Sequence, residues 1–231
     1  MLYKQPPEID FQQQLENLIG IKLNLKINDN RSTMLSVRWE PDVTKVSLHR
    51  IFLQAPQNIL EALGCYLKGR HKKISPVIKA FIEHEVRNLD YSRELDLSKL
   101  HVLGKVYNLQ KAYQEVEEEY FQEKLNLHIT WSGSGRRKKC NRITFGCYHD
   151  PLRLIKINRL IDHAYFPPYF LSYVIYHEML HAVYPSSVNE KGYKTIHTRA
   201  FKDQEKKFKF YTQAKQWIRD NHHYLFDGCS H

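Results

Sequence analysis

An H-E-x-x-H sequence, His177-Glu178-Met179-Leu180-His181, lies within an apolar stretch and constrains the fold more than any other segment of this chain. The pair Pro167-Pro168 suits the start of a helix and Pro185 cannot continue one, so a helix is predicted over residues 169–184. The apolar residues around the motif are Phe170, Leu171, Val174, Ile175, Leu180, Ala182 and Val183. The C-terminal half is therefore expected to fold around a buried helix that carries three ionisable residues.

The spacing within this helix predicts a metal site. Histidines at positions i and i+4 lie on the same helix face, so His177 and His181 can bind one Zn²⁺ ion. Glu178 lies beside them without being a ligand, and it is suited to act as the general base that accepts a proton from a metal-activated water. Buried ionisable residues require partners. The motif therefore indicates a catalytic zinc site rather than a structural use of the three residues.

A catalytic zinc ion keeps three protein ligands and one open position, so a third ligand is expected downstream. The candidates are Glu190, His197 and Glu205. His197 begins the sequence His-Thr-Arg-Ala-Phe, and Phe201, one turn later, is expected to pack its helix against the H-E-x-x-H helix. His197 is the favoured third ligand, and Glu205 is the main alternative.

Three features together resemble the SprT-like metallopeptidases, the family that contains Spartan. They are the stretch Ile175–Val183, the separation of 16 positions between His181 and His197, and the His-x-x-x-Phe sequence that ends at Phe201. The upstream strands and the acidic helix also occur where that family has them. The resemblance covers about residues 108–220.

The resemblance implies a zincin-like catalytic half with a single zinc ion. The residues it assigns are His177, His181 and His197 as metal ligands and Glu178 as the base. Thr198 departs from the family, because many members have Gly at that place, and the Cys-rich zinc module of many members has no counterpart here. The second departure weakens the inference to repair of DNA–protein crosslinks. Minigluzincin-type peptidases share the helical layout with a glutamate as third ligand, which keeps Glu205 open.

Hydrophobic periodicity predicts an α+β fold for the whole chain. We expect an N-terminal α+β segment of unknown role over residues 1–105 and the SprT-like metallopeptidase domain over residues 106–231. That domain is expected to contain a helix, a short antiparallel or mixed sheet, the H-E-x-x-H helix and a third-ligand helix. Helices are predicted over residues 8–19, 56–67, 75–89, 109–125 and 169–184 and from Thr198 past Phe208, and strands over 21–27, 34–39, 43–48, 127–131, 143–148 and 152–157. No internal repeat stands out in the sequence.

Charge is concentrated in the C-terminal part of the chain. The net charge is +10, and the sequence from Asn126 onward contains 17 basic and 8 acidic residues. Such an excess favours polyanions. The basic loop Arg136, Arg137, Lys138 and Lys139 is a candidate nucleic-acid-binding site, and DNA or another polyanion is a candidate partner beside a protein or peptide substrate.

Composition excludes several classes of protein. With 42% hydrophobic and 26% charged residues the chain is too apolar for general disorder and too polar for a membrane protein, so no membrane partner is expected. The first residues lack the pattern of a secretory signal. The four cysteines are widely spaced and form no Cys-x-x-Cys pair, which favours reduced thiols over disulfides. We therefore expect a cytoplasmic location.

The sequence leads to three functional hypotheses. The first is a zinc-dependent metalloendopeptidase that hydrolyses peptide bonds, with DNA-associated proteins as candidate substrates. The second is a nucleic-acid-binding module with a structural or inactive zinc site, and the third is a metal-dependent hydrolase of small phosphorylated substrates. Glu178 favours catalysis, because a purely structural site needs no carboxylate beside the metal.

Overall fold

The fold is α+β, as predicted, in a computed structural model that contains seven α-helices and eight strands within the residues it describes. Those residues are 7–30, 33–69, 73–122, 125–135, 143–189 and 191–221. The chain divides into two compact units. The first unit comprises residues 1–88 and 187–195, and the second comprises residues 89–186 and 196–231. The metallopeptidase role expected for residues 106–231 stays a prediction, as does the division at residue 105.

The first unit contains a three-stranded mixed sheet and three helices. In the order β1-β3-β2, β1 is parallel to β3 and β2 is antiparallel to it. A two-stranded hairpin, β7–β8, also belongs to this unit. The elements are α1 (Pro7–Ile19), β1 (Leu23–Asn28), β2 (Leu35–Trp39), β3 (Thr44–His49), α2 (Gln57–Leu67), α3 (Pro76–Asn88), β7 (Ser187–Val188) and β8 (Lys194–Thr195).

The second unit contains the H-E-x-x-H motif. Its sheet has the order β4-β6-β5, with β4 parallel and β5 antiparallel to β6, so β5 lies at an edge of this sheet. The elements are α4 (Leu109–Tyr120), β4 (His128–Ser132), β5 (Gly146–His149), β6 (Leu154–Asn158), α5 (Pro168–Val183), α6 (Arg199–Glu205) and α7 (Tyr211–Asp220).

Helix α5 is the centre of the hydrophobic core of the second unit. It packs against α4, α6, α7 and the strands β5 and β6, which explains why apolar residues occur on nearly all sides of it. Its buried residues are Phe170, Leu171, Tyr173, Val174, Ile175, Tyr176, Glu178, Met179 and Leu180. The polar groups of the motif therefore lie on a helix that is packed on most of its sides.

The two units repeat one topology. Each runs helix, three strands, a short 3₁₀ turn and then further helices, and in both sheets the third strand lies between the first, parallel to it, and the second, antiparallel to it. No internal repeat stands out among the residues, so the correspondence lies in the order of the elements and the pairing of the strands.

Hydrogen bonds at equivalent places support the correspondence. Glu16 Oε1 accepts the N–H of Leu23 at 2.8 Å where β1 begins, and Glu117 Oε1 accepts the N–H of Leu125 at 2.9 Å shortly before β4. At the end of the third strand, the N–H of His49 donates to Met34 O at 2.8 Å, and that of Asn158 donates to Phe145 O at 2.8 Å. The side chains of His49 and Asn158 then both cap the following 3₁₀ turn.

Most predicted elements lie within three residues of the observed ones, and two differ further. Helix α4 ends at Tyr120 instead of Leu125, where Glu117 turns the chain by accepting the N–H of Leu125. The helix predicted to run from Thr198 past Phe208 ends at Glu205, and α7 follows as a separate helix. The break allows Phe208 to be buried against Tyr176, a tertiary contact that helical periodicity does not reveal.

Candidate metal centre

The structure brings the three predicted histidine ligands together. His177 and His181 lie one turn apart on α5, and His197 lies two residues before α6. One ring nitrogen of each lies within 4.8 Å of those of the other two. The ring centroids are 5.1 Å apart for His177 and His181, 4.9 Å for His177 and His197, and 5.1 Å for His181 and His197. The three imidazoles therefore form a compact triangle.

Phe201 supports this triangle from the protein interior. Its ring is completely buried and lies 5.1 Å from the His177 ring and 4.7 Å from each of the other two. The predicted contact of Phe201 with the H-E-x-x-H helix is confirmed. Thr198 begins α6 as its N-cap and accepts the N–H of Phe201 at 3.3 Å. Thr198 thus fixes the start of α6 beside His197.

Glu205 contacts the outer side of His177 and does not belong to the triangle. Its Oε1 lies 2.7 Å from His177 Nδ1 and accepts a hydrogen bond from the hydroxyl of Tyr173 at 2.8 Å. Burial disfavours the charged form of this carboxyl, but the hydrogen bonds from His177 and Tyr173 hold its pKa below the usual value. A carboxylate at Nδ1 favours the tautomer whose lone pair is on Nε2. Glu190, the remaining candidate, lies outside the described residues.

The environment keeps two of the imidazoles neutral. Burial, together with the neighbouring His177 and His197, lowers the pKa of His181 to about 4. Burial and His177 also lower the pKa of His197. A neutral imidazole is the form that binds a metal ion, so protonation does not compete for these two side chains at neutral pH.

Glu178 is a buried carboxyl whose pKa is raised above the ordinary value of a glutamate. It is only 5% exposed, and burial raises its pKa to about 7, against the opposing effects of His177 and the backbone N–H of Tyr148. Strand β5 lies directly against it: a Cβ atom on Gly146 would be 2.7 Å from Glu178 Cγ. The absence of a side chain at position 146 leaves the space that Glu178 occupies. A carboxyl with a pKa near neutrality suits proton transfer.

Sequence reasoning missed two supporting residues. Gly146 stands within a strand pattern, which by itself indicates a close approach of another group to the backbone. Glu205 was considered only as a ligand, although its position four residues after Phe201 places both side chains on the helix face that packs on α5. The sequence pattern around Glu205 does not predict its direct contact with His177.

The structure describes only some of the basic residues that the sequence places in the C-terminal part of the chain. The loop Arg136, Arg137, Lys138 and Lys139 lies outside the described residues. Burial and His177 are the larger causes of the lowered pKa of His197, and the charges of Lys202 and Lys215 add to them. Within the described ranges, no helix has the length and apolar character needed to cross a membrane.

Three features define this site: the histidine triangle, the buried carboxyl of Glu178 that α5 holds against β5, and the Glu205 carboxylate at Nδ1 of His177. No protein-family model, no curated protein and no solved structure matches this chain.

Proposed function

We propose that the protein is a zinc-dependent metalloendopeptidase of the SprT-like type. The observation that carries the proposal is the combination of three histidine nitrogens within 4.8 Å of one another with a buried Glu178 next to the first of them in sequence. Three histidines alone also occur in structural sites. A buried carboxyl beside them, whose pKa burial raises to about 7, suits the proton transfer of a hydrolase.

The residues present fit a zinc ion. His177, His181 and His197 would hold the ion, because each offers one imidazole nitrogen and the three nitrogens lie within 4.8 Å of one another. Catalytic zinc sites have three protein ligands of this kind. Glu205 provides the outer carboxylate that commonly orients a zinc-binding histidine. When bound, Zn²⁺ supplies Lewis-acid polarisation of a water molecule and of the scissile carbonyl.

The chain's own residues then supply proton transfer and orientation. Glu178 accepts the proton that the attacking water gives up, and it can return that proton to the leaving amine. Gly146 and the N–H of Tyr148 hold the carboxyl in place, so it is oriented before the substrate arrives. Glu205 keeps the His177 ring fixed through Nδ1. Preorganised groups of this kind contribute to the rate because they need not reorganise during the reaction.

The position of β5 supports a peptide substrate. It is an edge strand of its sheet, and it contacts the general base through Gly146. An extended peptide can pair with such an edge through backbone hydrogen bonds, which bind a main chain irrespective of its sequence. The order α4, mixed sheet, α5 and α6 also agrees with the zincin-like layout that the sequence resemblance implies.

DNA-associated proteins remain the proposed class of substrate. Lys202 and Lys215, whose charges act on His197, support a substrate that is negatively charged or bound to a polyanion. A metal hydrolase of small phosphorylated compounds would use the same positive charges to bind its substrate. The charges therefore do not distinguish the two hypotheses, which differ in whether a peptide bond or a bond in a phosphorylated compound is cleaved.

The decisive experiment compares the parent protein with Glu178→Gln. We expect the parent to bind one zinc ion per chain and to cleave an unfolded protein substrate, with and without added DNA. Glu178→Gln should retain the zinc ion and lose nearly all cleavage, because only proton transfer is removed. A parent that binds zinc but cleaves only nucleotides or phosphate esters would contradict the peptidase proposal. Equal cleavage by Glu178→Gln would exclude Glu178 as the base.

A further inference from the structure

The sheet of the first unit has one buried face and one open face. Side chains alternate between the two faces along β1, β2 and β3. On the inner face Leu23, Val46 and Leu48 are buried and belong to the core of this unit. The opposite face, called the open face below, carries polar residues that are exposed or half-exposed, among them Asn24, Lys26, Ser36, Arg38, Lys45 and Ser47.

The strand register spreads three cations over the open face. Arg38 on β2 lies directly opposite Lys45 on β3. Lys26 on β1 pairs with Ser47, which lies two residues beyond Lys45 on β3. Because neighbouring strands are about 4.8 Å apart, these cations extend over about 10 Å, the full width of the sheet.

Most of this positive charge is not neutralised within the protein. Lys45 Nζ forms an ion pair with Glu40 Oε2 at 2.8 Å. Among the described residues, neither Lys26 nor Arg38 has a carboxylate within ion-pair distance. Like charges that lie directly opposite each other on a sheet, such as those of Arg38 and Lys45, are destabilising. The open face therefore keeps a positive charge that a bound anion would neutralise.

The corresponding face of the second sheet is partly covered. Ile129 and Trp131 belong to the core of the second unit, so Thr130 between them lies on the outer face. Thr130 is nevertheless buried, and its Oγ1 accepts the N–H of His101 at 2.9 Å. In the described part of the first unit no segment covers the open face in this way, since Lys26, Ser36, Arg38 and Lys45 are exposed.

The composition of the open face favours a nucleic acid over a protein partner. Its residues named above include no apolar side chain, whereas protein interfaces have an apolar core. They also include no aromatic side chain on which the bases of a single strand could stack. Lysine, arginine, asparagine and serine are the side chains that contact phosphate and sugar oxygens in complexes with DNA.

We propose that the open face of the first sheet binds the phosphate backbone of duplex DNA. Lys26 and Arg38 supply the charges, and Asn24 and Ser36 supply hydrogen bonds. The contacts involve the first unit alone, and they require neither a zinc ion nor peptidase activity. The proposal gives residues 1–88 a binding role that the sequence did not indicate.

The test measures binding of a short, fluorescently labelled duplex of mixed sequence to the full-length protein by anisotropy at several salt concentrations. We expect Lys26→Ala and Arg38→Ala each to weaken binding about threefold to tenfold and to lower the slope of log affinity against log salt by about 1, because each removes one phosphate contact. Lys68→Ala is the matched control. It removes an exposed cation at the C-cap of α2 in the same unit and should bind DNA as the parent does.

Two further measurements separate a binding role from a structural one and DNA from other anions. Arg38→Ala removes the repulsion between Arg38 and Lys45, so its melting temperature should be no lower than that of the parent. Polyglutamate at equal charge should displace the labelled duplex less well than unlabelled duplex does.

Parental affinity and salt dependence in both Lys26→Ala and Arg38→Ala, or an equal loss in Lys68→Ala, would overturn the inference while the peptidase proposal stands. Equal competition by polyglutamate, or tighter binding of a single strand than of the duplex, would overturn the assignment to duplex DNA. The expected losses of DNA binding in a protein that cleaves no peptide would overturn only the peptidase proposal.

Discussion

Glu205 Oε1 lies 2.7 Å from Nδ1 of His177, so the carboxylate that the sequence offers as an alternative metal ligand contacts one of the three clustered histidines instead. The hydroxyl of Tyr173 donates to the same oxygen at 2.8 Å. The hydrogen bond at Nδ1 orients the His177 ring and favours the tautomer whose lone pair is on Nε2.

Removal of Glu205 should weaken the zinc site without abolishing it. We expect Glu205→Ala to bind zinc about 10–100-fold more weakly than the parent, because His177 loses its orienting partner, while His197→Ala loses stoichiometric binding. Metal content by inductively coupled plasma mass spectrometry and chelator competition measure both effects. Asp203→Asn, an exposed change on the same helix, is the control. A loss in Glu205→Ala as complete as in His197→Ala would make Glu205 a ligand.

Gly146→Ala should impair catalysis while sparing the metal. The added Cβ would lie 2.7 Å from the Glu178 side chain and must displace the base. A displacement of about 1 Å in a catalytic group can cost on the order of 100-fold in rate, so kcat should fall by about that factor with zinc affinity unchanged. Thr144→Ala, an exposed change two residues earlier, should behave as the parent. Full activity of Gly146→Ala would show that Glu178 needs no such space.

Asp162 should stabilise the fold in a manner that depends on pH. Burial opposes its ionisation, but backbone N–H groups of Val106, Lys105 and Tyr107 outweigh burial and lower the pKa of this carboxyl. A lowered folded-state pKa means that the stabilisation is complete above the unfolded-state value of about 3.9 and disappears as the pH falls through the folded-state value.

We therefore expect Asp162→Ala to lower the free energy of unfolding by about 2 kcal/mol at pH 7, since three backbone N–H groups, those of Lys105, Val106 and Tyr107, lose a charged acceptor. The difference from the parent should shrink in strongly acidic solution. Urea unfolding of metal-free protein at several pH values measures it, with the exposed Asp203→Asn as control. A difference that stays constant down to pH 2 would contradict the role of the ionised carboxylate.

Phe201→Ala should affect both stability and metal binding. The cavity left by a completely buried phenylalanine costs about 3–5 kcal/mol, and the three imidazoles lose the ring on which they rest. Phe208→Ala is a matched cavity in the same core whose ring contacts Tyr173 and Tyr176 and, among the ring contacts of described residues, none of the three histidines. Thermal unfolding should show similar losses for both variants, whereas zinc affinity should fall mainly for Phe201→Ala. Equal zinc affinities in the two variants would count against support by Phe201.

The sequence by itself determined the local part of this protein. Alternation and helical periodicity predicted α1 to α6 and β1 to β6, because the direction of a side chain within one element depends only on nearby residues. The short strands β7 and β8 and the separate helix α7 were not predicted. The spacing of His177 and His181 put both on one face of α5 for the same reason. The sequence predicted the start of α6 but not its end at Glu205. The helix ends there where Phe208 packs against Tyr176, a residue far away in the chain.

Only the tertiary structure decided which residues support the site. Gly146 lies 32 positions before Glu178 in the sequence, and Glu205 lies 28 positions after His177, yet each touches its partner. The attachment of the β7–β8 hairpin to α3 and the shared topology of the two units likewise come from long-range packing and strand pairing. Such contacts follow from how whole elements fill a core, and a short stretch of sequence contains no periodic signal of them.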